Sequence, residues 1–388
     1  MHQTAIIYHY FASYRLPIFL ELMQSKKVEF TLYSGVDSEI PIKRIDSNLS
    51  SLPIEKGGLR WKFLKNHWLV NKKFLWQSGL ISIALKSDFD SYIFLGSPYF
   101  ITTWLAVAIV RLRGKKAYFW MHGVYKDKPT KVDWLKLNIF YKMATGFFLY
   151  GNRALSILRK HKVKPDFRMH VIYNSLDYEK SLKLRKLVDE KELKDYRLSY
   201  FSSADIPIVV FIGRLNFVKR IDMLIDAQYF LKRRDGKLPF NILLIGEGEE
   251  KSTLVEQSKE LGLDENVKFL GAIYDEEINA NALLYADLCV TPGEVGLTAM
   301  HAMSYGVPVI SHNNLDVQMP EVEAIQNGVT GNLFEYGSVE NLSETICCWL
   351  AKYPVKTKEI MEACFSVIDT HYNPYYQKSV IESVLLKD

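Results

Sequence analysis

The chain has 388 residues and a mass of 44.9 kDa, roughly two ordinary domains of polypeptide. With 48% hydrophobic and 24% charged residues it falls among soluble globular proteins, which excludes a disordered or low-complexity chain. The formal net charge of +5 hides an imbalance: residues 1–180 carry +15 and the remainder −10, so the first half is expected to face something anionic.

The amino-terminal MHQTAIIYHYF has no basic lead before a long apolar run, so no signal peptide is expected. TAIIYHY reads as a strand, and FASYRLPIFLELMQ as the start of a helix near Pro17. VEFTLYSG follows as a second strand. Basic residues then gather at Arg60, Lys62, Lys65, Lys72 and Lys73, interleaved with Trp61, Trp68, Phe74 and Trp76. Such a mixture suits a surface that settles into lipid headgroups, or a solvated loop. From Tyr92 to Val110 there is no charge, but Gly96, Ser97 and Pro98 cut the run into a strand and a helix, so no membrane span is expected. KAYFWMHG is a further strand ending in glycine.

The charged stretch 178–204 reads as an interdomain segment. After it, apolar runs at Ile208–Ile212, Ile242–Ile245, Val267–Leu270, Leu288–Val290 and Val307–Ile310 alternate with helical patterns. One of these places Leu224, Ala227 and Leu231 on a single face. The fold class is α/β, with two doubly wound parallel-sheet domains. Cys289, Cys347, Cys348 and Cys364 have no paired spacing and read as reduced thiols in a cytoplasmic protein.

In such sheets ligands bind where strands end and helices begin. Gly213-Arg214-Leu215-Asn216-Phe217-Val218-Lys219 occupies one such exit, where Arg214 and Lys219 suit a diphosphate. Thr291-Pro292-Gly293-Glu294-Val295-Gly296-Leu297-Thr298 leads into a helix whose amino end favours an anion, although a plain tight turn also explains its glycines. His122, before Gly123, ends a strand of the first half and reads equally as a ligand contact or a structural imidazole. Asp88-Phe89-Asp90 enters a strand, the wrong end for a metal–nucleotide site. Gly246-Glu247-Gly248 lacks a third glycine and carries acids that repel a pyrophosphate.

Taken in order, IGRLNFVKR, LLIGEGEEKSTL, VKFLGAIYDEEI and LLYADLCVTPGEVGLTAMHAMSYGVPVIS resemble the ordered motifs of nucleotide-sugar-dependent glycosyltransferases of the GT-B fold, family 4 (group 1) type, found in bacterial surface-polysaccharide biosynthesis. HYFASYRLPIFLEL, WMHG and VIYNSLD match more loosely. The resemblance implies two Rossmann-like domains facing a central cleft. These would be 1–177, completed by a terminal helix at 372–388, and a nucleotide-sugar domain at 205–371. It implies that Arg214 and Lys219 bind the donor diphosphate and that backbone amides from Glu294 to Thr298 cap it. Gly213, Gly293, Val295, Gly296, Leu297 and Thr298 line the donor site, and His122 lies near the donor sugar. Asn174 takes a structural place at the hinge, and Tyr14 and Arg15 shape the acceptor side.

The sequence departs from the family where two glutamates eight positions apart are usual: Gly293 and His301 stand there. His301 would then hydrogen-bond a ribose hydroxyl, and Glu294, one residue displaced, or Glu321 or Glu323 would approach the donor sugar. The function implied is transfer of a hexosyl, deoxyhexosyl or N-acetylhexosaminyl group to a glycan or polyprenyl-linked glycan. Retention of configuration is expected, without metal or other cofactor. The setting is capsule, O-antigen or lipopolysaccharide synthesis at the inner face of the cytoplasmic membrane. No nucleic-acid partner is expected, since no reader motif is present. The alternatives are a sugar-nucleotide epimerase of the same fold and a degenerate nucleotide-binding homologue.

Overall fold

Runs such as IVVFI and ILLI are apolar at every position, so they have no solvent face to offer and belong in parallel strands covered by helices on both sides. The computed structural model, which describes residues 1–37, 42–124, 130–186 and 188–387, places fifteen strands and fourteen helices among them. The chain divides into two compact units, Met1–Asp177 with His371–Asp388, and Tyr178–Thr370.

The first unit holds β1 (His2–Ile7), β2 (Val28–Ser34), β3 (Trp61–Phe63), the hairpin strands β4 (Lys65–Leu69) and β5 (Phe74–Ser78), β6 (Ser91–Leu95), β7 (Lys116–Met121), β8 (Gly146–Leu149) and β9 (Met169–Val171). Its main sheet runs β3-β2-β1-β6-β7-β8-β9, with every neighbouring pair parallel. The helices are α1 (Leu16–Met23), α2 (Leu80–Lys86), α3 (Ile101–Leu112), α4 (Lys131–Met143) and α5 (Asn152–Lys160).

The second unit begins with α6 (Tyr178–Leu184) and α7 (Glu190–Tyr200). Then come β10 (Ile208–Ile212), α8 (Ile221–Asp235), β11 (Asn241–Ile245), α9 (Lys251–Glu260), β12 (Val267–Gly271), α10 (Glu276–Leu284), β13 (Leu288–Thr291), α11 (Leu297–Ser304), β14 (Val309–His312), β15 (Gly331–Phe334), α12 (Val339–Lys352) and α13 (Lys358–Thr370). Its all-parallel sheet runs β12-β11-β10-β13-β14-β15. Leu224, Ala227 and Leu231 of α8 are fully buried, as their spacing predicts. In both sheets strand order reverses beside the first strand of the unit, between β1 and β6 and between β10 and β13. These are the switch points at which crevices open above the carboxyl ends.

α14 (Pro374–Lys387) returns to the first unit. Its Ile381, Val384 and Leu385 join a core cluster with Ile18, Phe19 and Leu22, and Lys378 bridges to Glu21 at 2.7 Å. The stretch 178–204, expected as an interdomain segment, belongs to the second unit instead. There Arg197 of α7 grips Asp287 with two hydrogen bonds of 2.7 and 2.9 Å, and that carboxylate also accepts from the amide of Ile208 at the start of β10. Leu187 of that segment, and Asp388 of the expected terminal helix, lie outside the described residues.

The basic, tryptophan-rich stretch is mixed: Lys62, Lys65, Lys72 and Lys73 are exposed with Phe63, Leu69 and Val70. Trp61 is buried and donates through Nε1 to Ser34, Leu75 is fully buried, and Trp68 meets His9 and Phe100 edge-on. Pairing β2 with β3 turns Trp61 inward to the core, while Trp68 and Trp76 of the β4–β5 hairpin are half-buried. Among the described residues no helix is long and apolar enough to cross a membrane.

Candidate functional site

In the second unit three loops meet above the sheet. The loop after β10 lies so close to the loop after β11 that a Cβ on Gly246 would stand 1.7 Å from the carbonyl oxygen of Gly213. The two are laced by backbone bonds, Gly213 to Ile245 at 2.9 Å and Leu215 to Glu247 at 2.9 Å. The third loop, after β13, is sewn to the first by the amide of Gly293 on Lys219 and that of Glu294 on Val218. A Cβ at residue 293 would meet the Val218 oxygen at 2.0 Å, so position 293 admits no side chain. The departure from the family glutamate at this position therefore has a steric reason. Two backbones touch where the carboxylate would start.

Lys219 closes this junction. Its Nζ donates to the carbonyls of Glu294 and Val295 at 2.5 and 3.3 Å. Burial lowers its pKa, and the carboxylates of Glu294 and Glu321 oppose that fall. Arg214 is half-buried on the same loop. Glu321 is 2% exposed and Glu323 more open, so of the two only Glu321 lies sealed and within electrostatic reach of Lys219.

α11 starts at Leu297 after Gly296, which is held at φ 51°. Part of the expected amide cradle is already occupied: Glu294 donates to Val218, and Val295 donates to Gln318 Oε1 at 2.7 Å. The Thr298 hydroxyl donates to the carbonyl of Ile212, tying the helix to β10. The amides of Gly296, Leu297 and Thr298 make no hydrogen bond among the described residues, and they carry the positive end of the helix.

His301 sits one turn into α11. Its Nε2 pairs with Glu276 Oε1 at 2.8 Å, and the Tyr305 hydroxyl donates to the same oxygen at 2.6 Å. Burial would raise the Glu276 pKa, but the hydrogen bonds and charge of His301 and the Tyr305 hydroxyl outweigh it and lower it. The carboxylate absent from α11 is thus supplied by the first residue of α10. Sequence reading missed Glu276 and Gln318, because neither carries a local signal: each is brought in by a neighbouring crossover.

In the first unit, Arg15 follows β1 at the head of α1 and is 7% exposed. Its Nη2 donates to the Tyr150 hydroxyl at 2.5 Å, and Tyr8, Tyr14, Trp120 and Tyr150 surround Cζ at 4.9–5.6 Å from their ring centres. His122, just past β7, packs its ring 4.6 Å from that of Tyr150. Burial, with the Arg15 charge, pushes its pKa down to about 4, so the imidazole is neutral at physiological pH. Asn174 is buried in a turn that Gln377 of α14 fastens through Ser175 and the carbonyl of Tyr173. Asp88 pairs with Lys115, and Asp90 accepts from the Gln3 amide, both at the amino edge of the sheet. Glu247 pairs with Lys251 at 2.5 Å.

Two doubly wound parallel sheets define the GT-B class of fold. Solved structures share it over the whole chain. Anabaena Alr3699/HepE in complex with UDP aligns at a TM-score of 0.73 and 15% identity, covering 100% of both chains. The lipopolysaccharide outer core galactosyltransferase WaaB, in its apo form, aligns at 0.69 and 15%, again over 100% of both. The model of the glycosyl transferases group 1 family matches residues 161–363, and the chain belongs to that family. N-acetyl-alpha-D-glucosaminyl L-malate synthase of Bacillus anthracis is 28% identical over 186 residues, 47% of this chain and 44% of that protein. An uncharacterized 41.2 kDa protein in the cps region of Klebsiella pneumoniae is 28% identical over 221 residues, 54% of this chain and 53% of that one. The chain thus spans about half the length, or less, of the curated relatives it matches.

Proposed function

We propose that this glycosyltransferase moves a sugar from a nucleoside diphosphate sugar to a glycan or lipid-linked glycan of a bacterial surface polysaccharide. The observation that carries the donor half is the three-loop junction at the β10/β13 switch point. Lys219 lies against the loop that leads into the amides of α11, and Arg214 stands on the same loop as Lys219. Breaking the anomeric bond leaves negative charge on the departing diphosphate, and fixed donors aimed at that charge are the largest electrostatic contribution available. The reading assigns this role to protein groups and not to a metal. His301, oriented by Glu276, takes the ribose. Glu294 or Glu321 approaches the sugar, and the neutral His122 contacts the reacting region. Retention belongs to the same reading, as does a hexosyl, deoxyhexosyl or N-acetylhexosaminyl donor. The UDP bound to HepE favours uridine as the first base to try.

Peripheral contact with the inner face of the cytoplasmic membrane completes the proposal. It rests on α3 and α4. Leu105, Leu112, Leu135 and Ile139 stand exposed there, Leu112 at 88%, with Lys136 over Tyr99.

The occupied amides of Glu294 and Val295 favour one second reading, a binding protein that has lost turnover. Calorimetric titration with UDP, GDP and their sugar conjugates, on wild type and Arg214→Ala, separates the two together with a turnover assay. The transferase reading expects one nucleotide to bind and Arg214→Ala to cost on the order of a hundredfold in turnover. Binding without turnover favours the second reading. No binding at all overturns both.

A further inference from the structure

Among the described residues two arginines are buried, Arg15 and Arg197. Arg197 has a carboxylate on one nitrogen and the Ala204 carbonyl on another. Arg15, at nearly the same exposure, has neither. No described carboxylate lies within ion-pair distance of it, and its one side-chain hydrogen bond among the described residues is to a phenol. Nε and Nη1 make no hydrogen bond among the described residues, and the residue keeps 7% of its surface exposed. Beside them Trp120 Nε1 is sealed and has no acceptor, and the His122 ring has been driven to its neutral form. Among the described residues the pocket holds a guanidinium and no carboxylate to pair with it.

Withdrawing a guanidinium from water is costly. The four rings and the one phenol return part of that cost, but none of them offers the paired oxygens that a guanidinium fork takes. An oxyanion is the partner that completes the balance. Two donors on a planar fork suit the two oxygens of a phosphate or carboxylate. The location is the carboxyl end of β1, at the strand-order reversal of the first sheet, where a ligand is expected to sit.

We propose that Arg15, walled by Tyr8, Tyr14, Trp120 and Tyr150, is an anion-binding subsite of the first unit that takes a phosphate or carboxylate group carried by the acceptor substrate. The assignment to the acceptor rests on the transferase reading above; the anion site itself does not. The acceptor is then charged next to the hydroxyl it offers, and a neutral glycan of the same shape is a poor substrate.

The test titrates octyl phosphate, octanoate and octyl glucoside, below their micellar concentrations, into the full chain and into Arg15→Met, Arg15→Lys and Arg214→Ala. One or both anions are expected to bind wild type, and Arg15→Met to weaken them at least about tenfold, the cost of a charge-assisted hydrogen-bonded pair. Arg15→Lys keeps the charge without the fork and falls between. In Arg214→Ala the Arg15-dependent binding remains, and octyl glucoside binds far more weakly than either anion. Stronger binding of octyl phosphate assigns a phosphate, and stronger binding of octanoate a carboxylate. Equal affinity for the neutral glucoside overturns the proposal, a result that needs no variant to fold. So does unchanged binding in Arg15→Met, or binding lost only in Arg214→Ala, which would place the anion on the donor loop. Failure of nucleotide titration alone would leave the subsite standing and remove only its assignment to an acceptor.

Discussion

The two units present their carboxyl edges in different materials. In the second, the edge is backbone: three loops stitched by amides and carbonyls, with glycines where chains touch and Lys219 pinned beneath. In the first it is side chain: an arginine without an acid, four rings and a neutralised histidine. Backbone geometry offers the same donors whatever the sequence, which suits a ligand part common to many donors. A side-chain pocket is remade by single substitutions, which suits a ligand that differs from one relative to the next.

The buried arginines give this contrast its largest expected effect. Arg197→Leu leaves Asp287 charged and unpaired inside the second unit and should cost about 3–5 kcal/mol, read as a fall in the chemical-denaturation midpoint. Arg15→Met leaves no buried acid behind, so it should cost under about 1 kcal/mol or stabilise the chain. Equal losses would break the contrast.

Next comes pH. The folded His122 pKa of about 4 lies below its ordinary 6.5, so the unfolded chain binds more protons between those values. Stability is therefore full above pH 6.5 and lost as pH falls, by roughly 3 kcal/mol at pH 4. His122→Gln should flatten that part of the profile. An unchanged profile would mean that the ring titrates normally.

Smallest is Gly293→Ala, whose methyl enters a 2.0 Å gap to the Val218 carbonyl. It should destabilise by about 2 kcal/mol and weaken nucleotide binding, because the loops must part. Retained stability would show that the junction is looser than its hydrogen bonds indicate.

Much of this was legible in the chain. Buried parallel strands announce themselves by unbroken apolar runs, and the loops after β10 and β13 by glycine beside Arg214 and Lys219. The family's ordered motifs supplied the family itself. What escaped depends on partners distant in sequence. Trp61 reads as a lipid anchor until Ser34 is placed under its indole. Glu294 and Val295 read as open amides until Val218 and Gln318 claim them. Glu276 is one acid among several in YDEEI until α10 carries it to His301. Periodicity encodes which face is buried, not which residue waits on the other side.

The return of α14 to the first unit has a consequence for how the chain is made. Residues 1–177 leave the ribosome long before 371–388, and until the last helix arrives Ile18, Phe19 and Leu22 lack Ile381, Val384 and Leu385. The second unit is continuous in sequence, so it can finish folding while the first is still waiting. The half of the molecule that is born first is the half that is completed last.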